Sequence, residues 1–483
     1  MSMFTKIKPN GKISVFSKLS YGMGEMTFGV TNTIMSVYLL ITLTDYLRVK
    51  PIWATVIVVA GIAWDAVTDP LVGYLSDNSG GRFGRRRRYI LLYALPLGLS
   101  FFLLWMAPTV MGAGVPEAAK VIVILIIYLA SITFLTLVNV PYGSVIMEMT
   151  DDYDERTSLT GFRMVCSAAA TLIAIGAAET ILGEGPIYST GKNLIYVGLV
   201  FGIFITIAAL LCFYGTFERR KFEKLLVRPK FNFKKYMLES WKSKPFRQVT
   251  IAYLCAFTVI GLLQTLLQYY TTYWLRAPEM FLILAAMVLL LAILSTPLWT
   301  FVAKKLGKRE AFLISCALTV AALIGVFFIR PINDTEFVLD LGTSAGLFPI
   351  YGYILIFFLG VGIGGVQLLP FSMMPDAINF SMNEGDMDEG AYYGIVTFVQ
   401  KLGMGAATML IGPILTLAKY KEPPKELEDG VLFLQEKVTN EAIRAMFVGL
   451  SIVIVVIGAL AVLKYEIDRA ALHNKIKKEN KES

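Results

Sequence analysis

Two aspartates four positions apart are the strongest sign of chemistry in this sequence. Asp65 and Asp69 lie between Trp64 and Pro70, inside a long apolar segment. The spacing places both carboxylates on one face of a helix, and Thr68 adds a hydroxyl oxygen beside them. A bound Na⁺ would relieve the repulsion between two such carboxylates. Two alternatives remain open: one carboxyl group holds a proton, or the two are structural and pair with a basic residue of a neighbouring helix.

Two basic residues, Arg163 and Lys401, also lie in apolar segments. Because a charge is costly in apolar surroundings, we expect both to face the protein interior, where either could pair with a carboxylate of the second segment. Arg163 could instead extend its long side chain to a polar surface. Four further polar groups could line a solute pathway or only bridge helices: Glu25, Gln264, Gln268 and Gln367.

A run of glycines and charges follows the second apolar segment. It contains Gly73, Asp77, Arg82 and Arg85, with further glycines and arginines between and after them. Glycines allow a tight turn and close helix approach, while the charges can pair with helix ends of the other half of the chain. We expect a conformational latch here, although such a positive cluster can also serve only to orient a membrane protein.

The rest of the sequence contains no set of residues for catalysis or for a resident metal. His473 is the only histidine, which excludes histidine proton relays and histidine metal sites. The four cysteines, Cys166, Cys212, Cys255 and Cys316, lie in or beside apolar segments without metal-ligand spacing. They indicate small packing residues. We therefore expect neither an enzyme nor a cofactor.

The elements that carry these side chains are long apolar segments. Of the 483 residues, 56% are hydrophobic and 17% are charged, and the mean hydropathy is +0.64. Soluble proteins carry about 25% charged residues. The apolar blocks reach about 20 residues, the length that crosses about 30 Å of hydrocarbon. The pattern predicts an all-α membrane protein with twelve transmembrane helices, at 18–46, 51–76, 88–110, 119–149, 158–182, 194–217, 248–275, 278–303, 310–330, 348–376, 390–418 and 441–465.

The basic residues cluster in alternate connections between these segments. Arg85 to Arg88, Arg219 to Lys221 and Lys304 to Lys308 lie on one side, whereas 110–119 contains no lysine or arginine. By the positive-inside rule both termini are cytoplasmic, which requires an even number of spans. No signal peptide is visible, because the first apolar block is too long for one. We expect a multi-pass protein of the plasma (inner) membrane. The charge of +8 lies in these connections, so no nucleic-acid partner is expected.

The two halves of the chain contain matching proline motifs. Asp69-Pro70-Leu71 recurs as Thr296-Pro297-Leu298, 227 positions later, and Pro141-Tyr142 recurs as Pro370-Phe371, 229 positions later. The repeat predicts two pseudo-symmetric six-helix bundles, 1–217 and 248–466, with a cytoplasmic loop at 218–247 and a basic tail at 467–483. Parallel halves joined by a basic loop resemble the major facilitator organisation, with the substrate site near mid-membrane.

Several stretches together resemble one family, and the likeness runs through nearly the whole chain. They are Lys18 to Gly24, Trp64 to Gly73, Asn139 to Gly143, Asp154 to Arg163 and Gly394 to Gly403. The chain is similar to the glycoside-pentoside-hexuronide cation symporters, typified by the melibiose carrier. That resemblance implies a cation site formed by Asp65, Thr68 and Asp69 in the second span and by Thr136 and Asn139 in the fourth.

The chain departs from the melibiose carrier at three positions. Asn139 stands where that carrier has an aspartate, and Gly29 and Gly143 stand where it has a sugar-binding aspartate and an aromatic residue. Its sugar site is therefore not reproduced. A second branch, the sodium-dependent lysophosphatidylcholine symporters, is similar in the stretches Ala63 to Gly73 and Leu368 to Asp376.

Taken together, these features predict a secondary transporter that works by alternating access. We expect a monomer in the lipid bilayer that couples a cation to a glycoside or related organic solute, with an amphiphilic lysophospholipid as the alternative substrate. With one acidic group fewer, the cation site favours Na⁺ (or Li⁺) over H⁺. The paired carboxylates and the repeat argue against a channel, and a flippase-like or scaffold role is the remaining alternative.

Overall fold

The computed structural model describes residues 13–77, 79, 83–84, 86–111, 114–150, 152–183, 186–187, 191–217, 241, 243–330, 350–381, 389–424 and 433–465. Nearly all of them lie in long helices. The predicted tail and most of the predicted central loop lie outside this part of the chain.

The described part of the first half contains six long helices. They are α1 (Val15–Ile41), which continues as a π-helical turn (Thr42–Tyr46), α2 (Pro51–Asp77), α3 (Arg87–Val110), α4 (Glu117–Met149), α5 (Tyr153–Leu182) and α6 (Leu194–Gly215). Ser14 caps the start of α1, where its side chain accepts a hydrogen bond from the backbone of Ser17. Asp152 caps α5 in the same way through the backbone of Glu155. Both are the small polar residues that satisfy free N–H groups at a helix start.

The second half repeats this order, with one helix broken. Its elements are α7 (Lys244–Tyr269) with a π-helical turn (Tyr270–Trp274), α8 (Met280–Leu294), α9 (Thr296–Leu306), α10 (Lys308–Phe327), α11 (Ile350–Ser381), α12 (Glu389–Leu417), and α13 (Lys437–Arg444), which a π-helical turn (Ala445–Leu450) joins to α14 (Ser451–Val462).

Eleven helices of the described chain are long and apolar enough to cross a membrane, and the bent pair α8–α9 would make twelve. The predicted all-α fold class is confirmed.

The predicted eighth span, however, is bent by 40° between Leu294 and Thr296. Pro297 at the start of α9 has no N–H to continue the hydrogen-bond ladder. The hydroxyl of Ser295 donates to the backbone oxygen of Ala292, 2.9 Å away. The hydropathy of the sequence does not reveal such a break in a helix.

The chain divides into two compact units: Met1–Leu226 with Lys421–Phe433, and Val227–Tyr420 with Leu434–Ser483. In the first unit α1 packs on α5 and α6, α3 packs on α4 and α6, and α2 packs on α4. The second unit repeats the scheme: α7 packs on α12 and α14, α10 on α11 and α14, and α8 on α11. The same set of neighbours in both units confirms the predicted pseudo-symmetry.

The ends of α1 and α7 show the repeat in backbone detail. Their π-helical turns begin at Thr42 and Tyr270, 228 positions apart. After each turn an arginine adopts a left-handed conformation, Arg48 with φ 60° and Arg276 with φ 57°. This conformation is uncommon for a residue with a side chain. The internal repeat therefore extends from proline motifs to an unusual backbone geometry.

Close helix packing in the first unit depends on glycine. A Cβ atom on Gly98 of α3 would overlap the backbone oxygen of Gly202 on α6. Because backbone cannot move aside as a flexible side chain can, only glycine allows α3 and α6 to approach this closely.

Candidate functional site

The carboxylate of Asp65 is held by a hydroxyl of the neighbouring helix. Thr136 on α4 donates from Oγ1 to Oδ1 of Asp65 on α2, at 2.8 Å. Thr136 is 2% exposed, and Asp65 is half-buried. Thr68, also buried, donates to the backbone oxygen of Asp65, 3.3 Å away. Two of the oxygens expected from the family resemblance, those of Asp65 and Thr136, are thus in direct contact.

The helices on either side of this contact are fixed by two further features. The indole Nε1 of Trp64 donates to Oγ1 of Thr133, at 2.8 Å. Trp64 precedes Asp65 directly, and Thr133 lies about one turn before Thr136. One turn earlier, a Cβ atom on Gly61 would overlap the ring of Tyr128, which is buried. The α2–α4 pairing therefore positions Asp65. The pairing of Trp64 with Thr133 was not predicted from the sequence, although both residues carry polar groups in apolar segments.

The other members of the predicted cation site lie on the same two helices. Asp69 is half-buried one turn beyond Asp65 on α2, and Asn139 is half-buried on α4, three positions beyond Thr136. Among the described residues no hydrogen bond involves the side chain of Asn139. No cluster of three or more histidine, cysteine, aspartate or glutamate side chains occurs in that part of the chain. A cation here would be held by one or two carboxylates, hydroxyls and amides, which are oxygen ligands suited to a weakly bound alkali ion.

The partner of Arg163 differs from the predicted one. Its Nε donates to Oε2 of Glu25 on α1 at 2.5 Å, and its guanidinium lies over the ring of Tyr142, 5.5 Å from the centroid. From the sequence, Arg163 could pair with a carboxylate of the second span or extend to a polar surface. The pairing with Glu25 arises because α5 packs along α1, whereas α2 packs on α4. Glu25 is the more buried partner, with 8% of its side chain exposed against 38% for Arg163.

Polar contacts continue along the whole α1–α5 interface. Lys18 Nζ donates to Ser158 Oγ at 2.8 Å, and Tyr38 OH donates to Glu179 Oε1 at 2.7 Å. Together with Glu25–Arg163 they form a polar seam along the two helices. Glu179 was missed by the sequence analysis, although a carboxylate in the apolar part of a predicted span is itself a signal.

The polar candidates of the second unit fall into different environments. Gln264 and Gln268 lie on α7, and their Oε1 atoms are buried without a hydrogen-bond donor among the described residues. Lys401 is half-buried on α12, whereas Gln367 is exposed on α11.

The predicted latch is described only in part. Gly73 is half-buried on α2, with Val140 in ordinary contact at 3.8 Å from its Cβ position. Asp77 ends α2. Arg82 and Arg85 lie outside the described residues.

Arg86, within the same run, forms a clamp inside its own half of the chain, which the sequence did not indicate. Arg86, just before α3, donates from Nη1 to the backbone oxygen of Ser144 at 2.6 Å. It also pairs through Nε with Glu148 at 3.4 Å. Both partners lie near the end of α4.

The second unit contains an equivalent clamp. Lys308 at the start of α10 donates to the backbone oxygen of Ser372 at 2.8 Å and to Asp376 at 2.5 Å. Ser372 and Asp376 lie 228 positions after Ser144 and Glu148. Each unit thus ties the start of its third span to the end of its fourth.

Comparison with known proteins agrees with this architecture. Residues 20–469 match the family model described as "MFS/sugar transport protein", where MFS denotes the major facilitator superfamily. The chain is 27% identical over 497 residues to sodium-dependent lysophosphatidylcholine symporter 1-B of Danio rerio, covering 96% of this chain and 89% of the relative. It is 26% identical to the sphingosine-1-phosphate transporter MFSD2B of Xenopus tropicalis, covering 85% and 81%.

A solved structure shares the fold. The crystal structure of a bacterial homologue of the human lysosomal transporter Spinster, in an inward-facing and unoccupied conformation, aligns with a TM-score of 0.64 and 12% identity. The alignment covers 96% of this chain and 97% of that one. The relatives and this neighbour are membrane transporters and not enzymes, as predicted. With a family match along nearly its whole length and two six-span units, the chain belongs to the MFS/sugar transport protein family.

Proposed function

We propose that this transporter is a cation-coupled symporter whose cation binds at Asp65. The observation that supports it is the hydrogen bond from Thr136 to the Asp65 carboxylate between α2 and α4. A carboxylate in a membrane span costs about 3 kcal/mol by insertion scales. A cation that binds there offsets this cost, and the Thr136 hydroxyl can turn to offer its oxygen as a ligand. Cation binding would then change the contact between two helices.

Na⁺ is the cation that this set of ligands favours. Asn139 contributes an amide where the melibiose carrier contributes a carboxylate, so Asp65 and Asp69 are the two acidic groups of the site. Fewer neighbouring negative charges leave less repulsion to keep a proton on either carboxyl group. The site therefore favours Na⁺, with Li⁺ and H⁺ as the alternatives.

For the substrate we favour a lysophospholipid or a similar single-chain phosphate amphiphile. Two relatives are named for such solutes, lysophosphatidylcholine and sphingosine-1-phosphate. The ion pair of Glu25 and Arg163 supports this choice. Because Arg163 uses its Nε for Glu25, and no described residue accepts from its terminal nitrogens, these two donors can bind a phosphate. The adjacent carboxylate suits a positively charged headgroup.

A glycoside is the second candidate. The family description and the resemblance to the melibiose carrier favour it. Gly29, where that carrier has its sugar-binding aspartate, argues against the same sugar site. A Cβ atom there would lie only 2.8 Å from the Cβ of Ala170 on α5. A side chain at position 29 would therefore push α1 and α5 apart.

Uptake into proteoliposomes tests the proposal. The purified chain is assayed with radiolabelled lysophosphatidylcholine and with a labelled methyl glycoside. Each is tested under an inward Na⁺ gradient at equal pH and under a pH gradient without Na⁺. We expect uptake of the lysolipid driven by the Na⁺ gradient. Uptake driven by the pH gradient alone would contradict Na⁺ coupling. Movement of lysolipid that neither gradient affects, and that shows no exchange of labelled for unlabelled solute, would favour the flippase-like or scaffold alternative.

We further place the protein in the plasma membrane as a monomer with both termini in the cytoplasm. The clamps at Arg86 and Lys308, with the glycine-arginine run that begins at Gly73, would stabilise one state of the alternating-access cycle. This assignment follows from their position where the third span begins and the fourth ends in each unit.

A further inference from the structure

Two glutamines on α7 bury amide oxygens that accept no hydrogen bond from the described residues. Gln264 and Gln268 are four positions apart, so both side chains lie on one face of the helix. Gln268 is only 7% exposed, and Oε1 of each residue is shielded. Burying an amide oxygen without a donor is unfavourable, most of all inside a membrane. These amides therefore need a hydrogen-bonding partner that the described chain does not supply.

Helix packing does not require amides at these positions. By the 228-residue repeat, Gln264 and Gln268 correspond to Ser36 and Leu40 on α1. Yet α1 packs on α5 and α6 in the same way as α7 packs on α12 and α14. A helix with serine and leucine thus builds the same bundle, and the two glutamines are additions specific to the second unit.

Of the helices that pack on α7, α12 contributes no donor at this level. The Cβ position of Gly261, one turn before Gln264, lies 3.0 Å from the Cβ of Ala407 on α12. The buried residues one and two turns further along α12 are Ile411 and Leu415, both fully buried and apolar. None of the described residues donates to either oxygen, which leaves both able to accept a hydrogen bond from a bound molecule.

We propose that Gln264 and Gln268 accept hydrogen bonds from a free hydroxyl group of the transported solute, and thereby select solutes that carry one. This proposal rests on the transport function proposed above and adds the chemistry that the second unit recognises. Neutral amide oxygens suit a neutral donor. A choline headgroup has no N–H to donate, so in a lysolipid the donor is the free glycerol hydroxyl. In a glycoside it is a ring hydroxyl.

Matched pairs of solutes test the selection in the wild-type protein. One pair is lysophosphatidylcholine and its deoxy analogue, in which hydrogen replaces the free glycerol hydroxyl. The other pair is a methyl glycoside and its monodeoxy analogues. Uptake into proteoliposomes is measured as kcat/KM. A site that binds a hydroxyl rejects the analogue that lacks it, and we expect a preference of at least about tenfold in the pair that is transported. The pair that shows this preference tells whether the hydroxyl group belongs to a lysolipid or to a glycoside.

Replacing each glutamine with methionine tests whether these two residues cause the preference for the hydroxyl solute. Gln264→Met and Gln268→Met keep the length of the side chain but remove the amide. We expect each to reduce the preference by about tenfold, through slower transport of the hydroxyl solute and unchanged transport of the deoxy solute. The melting temperature should stay the same or rise, because a buried polar group without a partner is removed. Gln248→Met, near the start of the same helix, is the matched control and should keep the wild-type preference.

Three results would overturn the inference. They are a wild-type protein that transports both members of a pair equally well, retention of the full preference in both methionine variants, and loss of the preference in the Gln248→Met control as well. The wild-type comparison needs no variant, so a variant that fails to fold leaves the test intact. If the wild type transports neither lysolipids nor glycosides, the proposed substrate classes are wrong. That result differs from the three results that overturn selection by the two glutamines.

Discussion

Two ionic features of the first unit lie on separate pairs of helices. Asp65 contacts Thr136 across α2 and α4, and Glu25 contacts Arg163 across α1 and α5. In both cases the partner comes from a helix that packs directly alongside. At the scale of single residues, the proposed cation binding and the proposed headgroup binding can therefore be altered separately.

Removing the charge at the proposed cation site should abolish coupling. We expect Asp65→Asn and Asp69→Asn each to eliminate Na⁺-dependent accumulation while the protein still folds and inserts, because an amide binds Na⁺ less strongly than a carboxylate. Na⁺-gradient uptake in proteoliposomes measures this, with Glu279→Gln, an exposed carboxylate before α8, as the control. Wild-type Na⁺ dependence in both variants would place the cation elsewhere.

The ion pair of Glu25 and Arg163 should show strong coupling between its members. Removing one charge leaves the other without a partner among apolar helices. Glu25→Gln and Arg163→Gln should therefore each lower the free energy of unfolding by about 1–3 kcal/mol. This range is smaller than for a fully buried ion pair because Arg163 is partly exposed. The double variant should recover part of that stability, yet transport should remain lost if Arg163 binds the solute. Thermal melting of all four proteins, with uptake assays beside it, measures both effects. Purely additive losses of stability would contradict the coupling.

Helices in this protein are placed by close contacts as much as by hydropathy. Glycines at Gly61 and Gly98 allow α2 to approach α4 and α3 to approach α6. The break at Ser295 and Pro297 makes α8 and α9 two helices where α2, with Pro70 inside it, continues as one. At the scale of elements, the two units therefore keep the same helix neighbours, but a helix that is continuous in the first unit is broken in the second.

A larger residue at Gly98 should disturb the α3–α6 contact. Overpacking a dense interior typically costs 1–3 kcal/mol, and we expect Gly98→Val to reach at least about that value because backbone oxygen stands in the way. The control is Gly176→Val on α5, where no atom lies within 4 Å of the Cβ position. Melting of the detergent-solubilised proteins should show a clear loss for the first and a small change for the second. Equal losses would show that valine in a helix, and not the contact, is responsible.

The whole molecule is built from one scheme used twice. Both units contain the same helix neighbours, the same π-helical turn at the end of the first span and an equivalent clamp. The polar side chains differ between the units. The first unit contains the polar seam along α1 and α5, whereas the second contains the neutral amides of α7. The duplicated scheme supplies the scaffold, and the unequal side chains supply the proposed binding chemistry.

The orientation of the chain in the membrane can be tested by labelling. Phe83→Cys, in the basic connection after α2, should be protected from an impermeant thiol reagent added to intact cells. Gly114→Cys, in the connection before α4, should react. All four native cysteines are buried, so the background should be low. The opposite labelling pattern would invert the proposed topology.

The sequence by itself determined the number and order of the spans, the duplicated halves and the positions of the membrane carboxylates. These properties follow from local hydropathy, from charges in short connections and from repeated proline motifs, which are all present in the linear chain. The resemblance of its motifs also indicated Thr136 as a neighbour of Asp65.

Only the tertiary structure decided which side chains meet. Arg163 and Glu25 are separated by 138 positions, and their contact depends on which helices are neighbours and on the rotation of each about its axis. The same holds for the Arg86 clamp, for the Trp64–Thr133 bond and for the amides of Gln264 and Gln268, whose lack of donors becomes visible only when α12 is seen beside α7. Hydropathy determines which residues lie in the membrane, whereas helix packing determines which side chains contact each other.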